Sequence, residues 1–454
     1  MKRRNVYTLM AISLIASTLS LPACDDSGNP FGKRENVLRV ASWDEYICMG
    51  GEDSYYSADS KPIYEEFEDW YYDKTGKRIT VEYVALQDNE TMYNKIKMGD
   101  SYDLLCPSEY MVMKLAAENK IIPFPDGSDG GYNFFDPTVE DNYYAQNVSP
   151  YIQSVFEGIT IDGSPMSNYA AGYMWGTTGF VFNPQHISRE TMSSWSVLKN
   201  KAVSRKITAK DNVRDSYFMG LGMHYENQLL SLKQQLEGDN LTLSDYQKEL
   251  AKKMNDISVP TMNAVKKELE QMRGNLYGLE TDEGKQDLIT GRLSASYQWS
   301  GDAVYILDEA EEFDLNLEYV IPSASSNLWF DGWVMMKDAN IDLATAFVNY
   351  ISMPKNVIRN MYYIGYTSCI GGNEVFEYLK EMYGYDGADA QPYDLNYFFS
   401  NSGTEYVLQT SPDQLKRQLF AQYPDNDTKN RLVVMNYFDK EANERANRMW
   451  NNIK

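Results

Sequence analysis

The sequence predicts an α/β fold built on a parallel sheet. Short β-type runs at residues 37–42, 79–84 and 102–106 are rich in apolar and β-branched side chains. Apolar residues recur with helical spacing over residues 63–71, and Asn89 is predicted to cap a second helix. Because strands and helices alternate in this order, we expect parallel strands joined by right-handed crossovers.

The amino-acid composition excludes several classes of protein. The chain has 454 residues, with 65 acidic and 42 basic side chains and a formal net charge of −23, which excludes a typical nucleic-acid binder. It is 43% hydrophobic, 13% aromatic and 24% charged, as in ordinary globular proteins, and its length favours two or three domains. The only histidines, His186 and His224, offer little material for a zinc site or a catalytic triad.

The N-terminus is predicted to be a targeting segment. Basic residues 2–4 precede an apolar run at 6–21 that is too short to span a membrane, so residues 1–23 are expected to form a secretory signal. The run ends in Leu-Pro-Ala-Cys, which resembles the lipobox of bacterial lipoproteins and implies cleavage before Cys24 and acylation of its thiol. The polar, turn-rich residues 24–35 would tether the fold to a membrane in the periplasm or cell envelope.

Three further cysteines follow the predicted lipidation site. Cys48, Cys106 and Cys369 are an odd number for an exported protein and show neither CxxC nor metal-ligand spacing. Buried thiols and a single disulfide both remain open on this evidence.

Four segments combine aromatic side chains with carboxylates or hydroxyls. Residues 43–46 (WDEY) and 107–110 (PSEY) follow predicted strands, where the carboxyl ends of a parallel sheet meet ligands. Residues 299–302 (WSGD) and 329–333 (WFDGW) repeat the combination later in the chain. An organic dication suits this mixture, because carboxylates replace the hydration of its ammonium groups and aromatic faces attract the charge.

Seven segments in register resemble the spermidine/putrescine-binding proteins of polyamine ABC importers. These segments are residues 38–46, 89–93, 102–110, 214–215, 299–301, 329–331 and 364–367. The resemblance implies a bilobed type II periplasmic-binding-protein fold, in which two α/β lobes are joined by a hinge. We expect hinge crossings near residues 179–183 and 331–335. Lobe 1 would comprise residues 36–180 plus 334–372, and lobe 2 would comprise 181–333 plus 373–454.

The resemblance also implies a set of ligand contacts from both lobes. They are Trp43, Asp44, Glu45, Tyr46, Ser108, Tyr110, Asp215, Trp299, Trp329, Asp331 and Tyr366. Asp44 adds an acid where the family more often has Ser or Thr, whereas Asn212 replaces a carboxylate that spermidine binders can carry and Met435 replaces a glutamine. The choice between putrescine and spermidine stays open, with a slight preference for a diamine.

Other nearby residues are assigned supporting roles. Phe330 and Trp333 are expected to pack in the core, and Arg214 is expected to orient neighbouring acids. The role of Glu109 remains open, because a solvated and a functional carboxylate are both compatible with the sequence.

The expected function is that of a lipid-anchored receptor that captures polyamines and delivers them to ABC-transporter permease subunits, with no catalysis, no cofactor and no metal. A glycosidase using Glu45 and Asp331 is one alternative. A lipoprotein that binds sugars or another solute, a surface antigen with a degenerate pocket, and a polyamine sensor without transport are others. The acid content of the four segments favours a cationic ligand over a sugar.

Overall fold

The computed structural model describes residues 35–454 except 162, 281–283, 401–402 and 404. The predicted signal, the lipidation site at Cys24 and the tether up to residue 34 lie outside the described residues. The strands are β1 (Val37–Trp43), β2 (Thr80–Leu86), β3 (Leu104–Leu105), β4 (Ile121–Ile122), β5 (Thr160–Ile161), β6 (Ser164–Pro165), β7 (Ala170–Phe182), β8 (Ile207–Lys210), β9 (Gly278–Glu280), β10 (Ala295–Trp299), β11 (Glu318–Val320), β12 (Ser326–Met336), β13 (Thr367–Ser368), β14 (Gln391–Asp394), β15 (Val407–Thr410) and β16 (Leu432–Val433).

Helices cover the sheet and fill the connections between strands. They are α1 (Ile63–Thr75), α2 (Asn89–Met98), α3 (Glu109–Ala117), α4 (Tyr143–Asn147), α5 (Pro150–Gly158), α6 (Arg189–Met192), α7 (Val213–Glu237), α8 (Leu243–Met254), α9 (Val259–Asn275), α10 (Gly284–Ile289), α11 (Ser300–Glu311), α12 (Ile341–Ile351), α13 (Pro354–Ile364), α14 (Asn373–Tyr383), α15 (Asn396–Phe399), α16 (Gln418–Gln422), α17 (Asn426–Asn430) and α18 (Lys440–Asn451).

The predicted alternation of strands and helices at the start of the fold is confirmed. β1 runs parallel to both β2 and β3, and α1 and α2 form the crossovers between them. Helix α1 buries Ile63 and Phe67 as its spacing predicts, and it ends at Gly76, whose φ of 70° suits a residue without a Cβ. On the far side of the sheet, β8 runs parallel to β9 and β10.

Two long antiparallel strands, β7 and β12, connect these parallel sets. The sheet order is β2-β1-β3-β12-β7-β10-β8-β9. Along β7, residues 170–177 pair with β12 and residues 178–182 pair with β10; β12 pairs with β3 at Val334 and Met335. β7 changes partners between Thr177 and Thr178, directly before the crossing predicted at 179–183, which stays a prediction.

The buried apolar side chains form separate clusters on either side of these strands. One cluster lies on the β1–β3 side of the sheet, and two smaller clusters lie on the β8–β10 side. Buried residues between Val375 and Leu408 lie in the first cluster, whereas those between Val433 and Ile453 lie in the second. The predicted lobe boundaries stay a prediction, and on this packing we propose that residues 373–408 be assigned to lobe 1 instead of lobe 2.

The three described cysteines, Cys48, Cys106 and Cys369, are buried and free. Burial raises the pKa of the Cys106 and Cys369 thiols well above the ordinary value, which keeps them protonated and unreactive. The sequence left open both buried thiols and a single disulfide, and the structure has buried thiols. Within the described ranges, His, Cys, Asp and Glu side chains form no group of three or more that could hold a metal ion. No helix in this part of the chain is long and apolar enough to cross a membrane.

Candidate functional site

A buried carboxylate lies on the crossing strand β12. Asp331 is 5% exposed and is located at a bulge in the pairing of β12 with β7. Trp43 Nε1 donates to Asp331 Oδ2 at 3.2 Å, and the Tyr46 hydroxyl donates to the same oxygen at 2.7 Å. Ser108 Oγ donates to Oδ1 at 2.6 Å. These four residues are called the Asp331 cluster below.

The Asp331 cluster holds its carboxylate without a cation. Burial raises the pKa of Asp331 above the ordinary value, and the hydrogen bonds from Ser108, Tyr46 and Trp43 oppose that shift. In the part of the chain that the structure describes, its hydrogen-bond partners are neutral donors and not a lysine or arginine. The charge of this acid is therefore desolvated but not neutralised.

Strand order explains why these donors meet Asp331. Trp43 is the last residue of β1, and Ser108 follows β3, so both stand at the carboxyl edge of parallel strands as predicted. β12 lies antiparallel next to β3, and the Gly332 amide donates to the Pro107 carbonyl at 3.1 Å. This contact brings the Asp331 side chain alongside the loop that carries Ser108.

Asn89 positions Ser108 from the start of α2. Its Oδ1 accepts from the Ser108 amide at 3.0 Å, and its Nδ2 donates to Ser108 Oγ at 3.0 Å. The predicted capping role of Asn89 is wrong. The cap is Asp88, whose extended backbone lets its carboxylate accept from the Thr91 amide at 2.6 Å, while the Asn89 side chain is buried against the β3 loop.

An aromatic wall extends from the Asp331 cluster. The Tyr46 ring centroid lies 5.5 Å from that of Tyr173 and 5.9 Å from that of Tyr366, both in edge-on geometry. The Tyr366 centroid in turn lies 5.4 Å from that of Trp329. Trp329 is fixed by its indole N–H, which donates to the Thr177 carbonyl at 3.1 Å. The structure therefore brings the predicted Tyr46, Trp329 and Tyr366 together as one wall.

A second buried carboxylate lies at the other end of this wall. Asp302, at the start of α11, accepts from Lys210 Nζ at 3.0 Å and from the Tyr366 hydroxyl at 3.2 Å, and Lys285 Nζ lies 2.9 Å away. Burial opposes its ionisation, but Lys210 and Lys285 outweigh that effect and lower the pKa of Asp302. Asp302, Lys210, Lys285 and Tyr366 are called the Asp302 cluster below.

Trp299 and Asp215 adjoin the Asp302 cluster. Lys210 Nζ lies 4.3 Å from the centroid of a Trp299 ring, within cation–π distance. Burial raises the pKa of Asp215 to about 6, although Lys210, a hydrogen bond from Trp299 and Arg214 oppose the shift. Asn212 caps α7 by accepting from the amides of Arg214 and Asp215 at 2.7 and 3.2 Å. Asn212 therefore has a structural role at the start of α7.

Tyr110 faces a protein cation. The Arg214 guanidinium lies 4.7 Å from the Tyr110 ring centroid and 3.7 Å from that of Phe438, and it donates to the Asn436 carbonyl. The Tyr110 hydroxyl donates to Glu90 at 3.2 Å. Arg214 opposes the rise in the pKa of Glu109 and Asp215, and it also covers a face of Tyr110; its predicted role of orienting these acids stays a prediction.

Glu109 is buried, which excludes the solvated alternative considered from the sequence. It is 1% exposed, and its Oε2 accepts from the Phe330 amide at 3.3 Å. Burial raises the pKa of Glu109 to about 8, and Asp331 adds to the shift, while backbone hydrogen bonds and Arg214 oppose it. The side chain is therefore mostly protonated at neutral pH.

The remaining predicted residues differ in exposure. Asp44 and Glu45 are exposed on the turn after β1, where Asp44 Oδ1 accepts from the Glu45 amide at 3.2 Å, and their role in binding stays a prediction. Phe330 and Trp333 are fully buried in the first core cluster, as expected of packing residues. Met435 is buried in the second cluster.

Two of the residues that build the site have no predicted role. Asp302 stands within the segment 299–302 but is assigned no contact of its own, and Lys210 lies outside all four segments that combine aromatic side chains with carboxylates or hydroxyls.

Replacing Glu109 by glutamine should change the pH dependence of stability. The raised pKa of Glu109 means that its stabilising contribution is complete below its ordinary value of 4.5 and is lost as the pH rises to about 8. Wild-type protein should therefore lose up to about 1.4 kcal/mol of unfolding free energy per pH unit in this window through this group. Glu109→Gln should remove that loss in denaturant titrations at several pH values. The exposed Glu444→Gln is the control, and a variant slope equal to that of wild type would contradict the prediction.

Replacing Gly301 by alanine should displace the aromatic wall. A Cβ at Gly301 would lie 1.7 Å from Tyr366 Cδ1, so the ring has to move. We expect a loss of about 1–3 kcal/mol in unfolding free energy, as for other overpacked sites, measured by thermal or denaturant unfolding. Gly274→Ala is the matched control, because its Cβ meets no atom within 4 Å. Equal stability of the two variants would show that Tyr366 is not held against Gly301.

Comparison with known proteins assigns a family to this architecture. Residues 63–385 match the family described as bacterial extracellular solute-binding protein. The spermidine/putrescine-binding periplasmic protein 1 of Haemophilus influenzae is 22% identical over 368 residues, covering 79% of this chain and 83% of the relative. The putrescine-binding periplasmic protein SpuD of Pseudomonas aeruginosa is 24% identical over 367 residues, covering 78% of this chain and 82% of the relative.

Solved structures share the fold. The spermidine/putrescine ABC transporter substrate-binding protein PotD of Streptococcus pneumoniae aligns with a TM-score of 0.59 at 23% identity, covering 92% of this chain and 98% of that chain. The TpPotD lipoprotein of Treponema pallidum aligns with a TM-score of 0.59 at 16% identity, covering 92% and 99%. The predicted two-lobed α/β fold is confirmed, and the relatives are substrate-binding proteins of transporters, not enzymes. The chain belongs to the family of bacterial extracellular solute-binding proteins.

Proposed function

We propose that this protein captures a polyamine between its lobes and delivers it to the permease of an ABC transporter. The observation that carries the proposal is the carboxylate of Asp331, which is buried among aromatic side chains and held by neutral donors. The names of the Haemophilus and Pseudomonas relatives, which include spermidine and putrescine, support the same ligand class.

The hydrogen bonds to Asp331 from the described residues do not use all of its accepting positions. An ionised carboxylate offers about four accepting positions. Oδ2 accepts from Trp43 and Tyr46, and Oδ1 accepts from Ser108, so among the described residues Oδ1 has one donor and can accept from a further one. A ligand ammonium there would offset the desolvation of the charge, because a charge-assisted hydrogen bond is stronger than a neutral one.

The aromatic wall suits the rest of such a ligand. Tyr46, Trp329 and Tyr366 provide faces that attract a cation and cover a methylene chain. We propose that Trp43, Ser108, Tyr110, Asp215 and Trp299 form the rest of the site around the ligand, and that Asp44 and Glu45 add negative potential from the exposed turn. Closure of the lobes about β7 and β12 would then present a distinct form to the permease.

Two other functions use the same scaffold. A sugar-binding protein would make neutral and amide contacts in place of an enclosed carboxylate, so the buried Asp331, whose described hydrogen-bond donors are neutral, favours an amine. A sensor that binds polyamines without transport would use the same residues. Uptake of labelled polyamine by cells that carry or lack this protein would separate a transport receptor from a sensor.

Replacing Asp331 by asparagine should weaken amine binding. The variant loses a buried charge next to the proposed ammonium position, at a cost of about 1.5–3 kcal/mol, or roughly tenfold to a hundredfold in affinity. Titration calorimetry of the ligand-stripped full chain with putrescine and spermidine measures this loss. Asp338→Asn, an exposed acid just after β12, is the control for net charge. If the folded Asp331 variant binds as wild type does, Asp331 is not a ligand contact.

We also propose that acylated Cys24 anchors the protein to a membrane outside the cytoplasm. The lipobox-like sequence supports this, and the related Treponema structure is described as a lipoprotein.

Replacing Cys24 by alanine should release the protein from membranes. Wild-type protein should incorporate labelled fatty acid and sediment with the membrane fraction, because the acylated thiol is the proposed anchor. Cys24→Ala should be unlabelled and should not sediment through an acyl chain, whereas Ser27→Ala in the same segment should behave as wild type. Labelling of the Cys24 variant would contradict the proposed site.

A further inference from the structure

A buried lysine lies on the Asp302 carboxylate, at the end of the aromatic wall opposite the Asp331 cluster. Lys210 is at the end of β8, and it is 1% exposed. Its Nζ lies 3.0 Å from Asp302 Oδ2 and 4.3 Å from the centroid of a Trp299 ring. A carboxylate and an indole face are the two partners that the proposed function offers to a ligand ammonium.

The Asp302 cluster is continuous with the Asp331 cluster. Tyr366 connects them, since its ring contacts Tyr46 and Trp329 and its hydroxyl donates to Asp302. A long amine anchored at Asp331 would therefore reach Asp302 along the wall.

The charges at this end are already balanced by the protein. Asp302 has Lys210 and Lys285 as partners, and the nearby Asp215 lies in the field of Lys210 and Arg214. A further ammonium would have to displace Lys210 from a buried ion pair, which leaves a cation without its partner in a desolvated place. The Asp331 end carries no such internal cation among the described residues.

We infer that Lys210 is a specificity-determining residue that fills one ammonium position with a tethered cation, so that the site selects short diamines over triamines. The inference rests on the proposed function and names the ligand within its class. Lys210 acts by occupying the Trp299 face and the Asp302 carboxylate, and Tyr366 sets the distance between this position and Asp331.

The test compares putrescine and spermidine binding to the ligand-stripped full chain by titration calorimetry. Wild-type protein should bind the diamine more tightly. Lys210→Met removes the ammonium from the Trp299 face and from Asp302, so it should improve spermidine relative to putrescine by about tenfold to a hundredfold, the range of one charge-assisted contact. Lys285→Met is the matched control, because it removes the same charge from the same acid and leaves Lys210 on Trp299.

A second variant controls for misfolding and for a general effect of net charge. Lys210→Met combined with Asp302→Asn removes the ion pair as a unit at constant net charge, and it should still shift the ratio toward spermidine, because the cation on the Trp299 ring is gone. The inference would be overturned if the ratio of spermidine to putrescine affinity were unchanged in both folded variants, or if Lys285→Met shifted that ratio equally. The proposed function would stand in either case, provided that the wild-type protein binds putrescine. Failure of wild type and all variants to bind either amine would overturn both.

Discussion

The enclosure of the Asp331 carboxylate is the constraint on which the site depends. A desolvated charge on a crossing strand is tolerable only if donors surround it, and these donors come from the turns after β1 and β3. The turns are consequently tied to β12 by hydrogen bonds as well as by packing. The same bonds order the aromatic side chains, because Trp43 and Tyr46 are both donors and walls.

The buried carboxylates at the two ends of the aromatic wall have different kinds of partner. Asp331 is satisfied by neutral donors, whereas Asp302 is satisfied by two lysines. A net charge of −23 suggests that acids are abundant everywhere, but buried acids are distinguished by what faces them. An acid with neutral partners still attracts a cation strongly, and one with internal cations does so weakly. The local partners of each buried acid, and not the overall charge of the protein, would therefore determine where an amine gains the most binding free energy.

Local patterns in the sequence predict the part of the site that depends on strand ends. The turn after β1 and the loop after β3 are recognisable because each follows a short apolar strand, and the structure brings Trp43, Tyr46 and Ser108 to one carboxylate. The partner of a buried lysine is not recognisable in this way. Lys210 and Asp302 are 92 positions apart, and only the packing of β8 beside β10 makes them neighbours. The burial of Glu109 depends likewise on β12, which is distant in sequence.

Tyr366 contacts both ends of the site. It follows α13 and belongs to the first core cluster by packing, yet its hydroxyl donates to Asp302 beside the second set of strands. Gly301 lets its ring approach the start of α11, which a side chain there would prevent. An amine held at Asp331 would contact the same ring that bridges to Asp302, so its binding would favour the arrangement in which that bridge is made. Differential contact of this kind is what a hinge protein needs in order to close on its ligand.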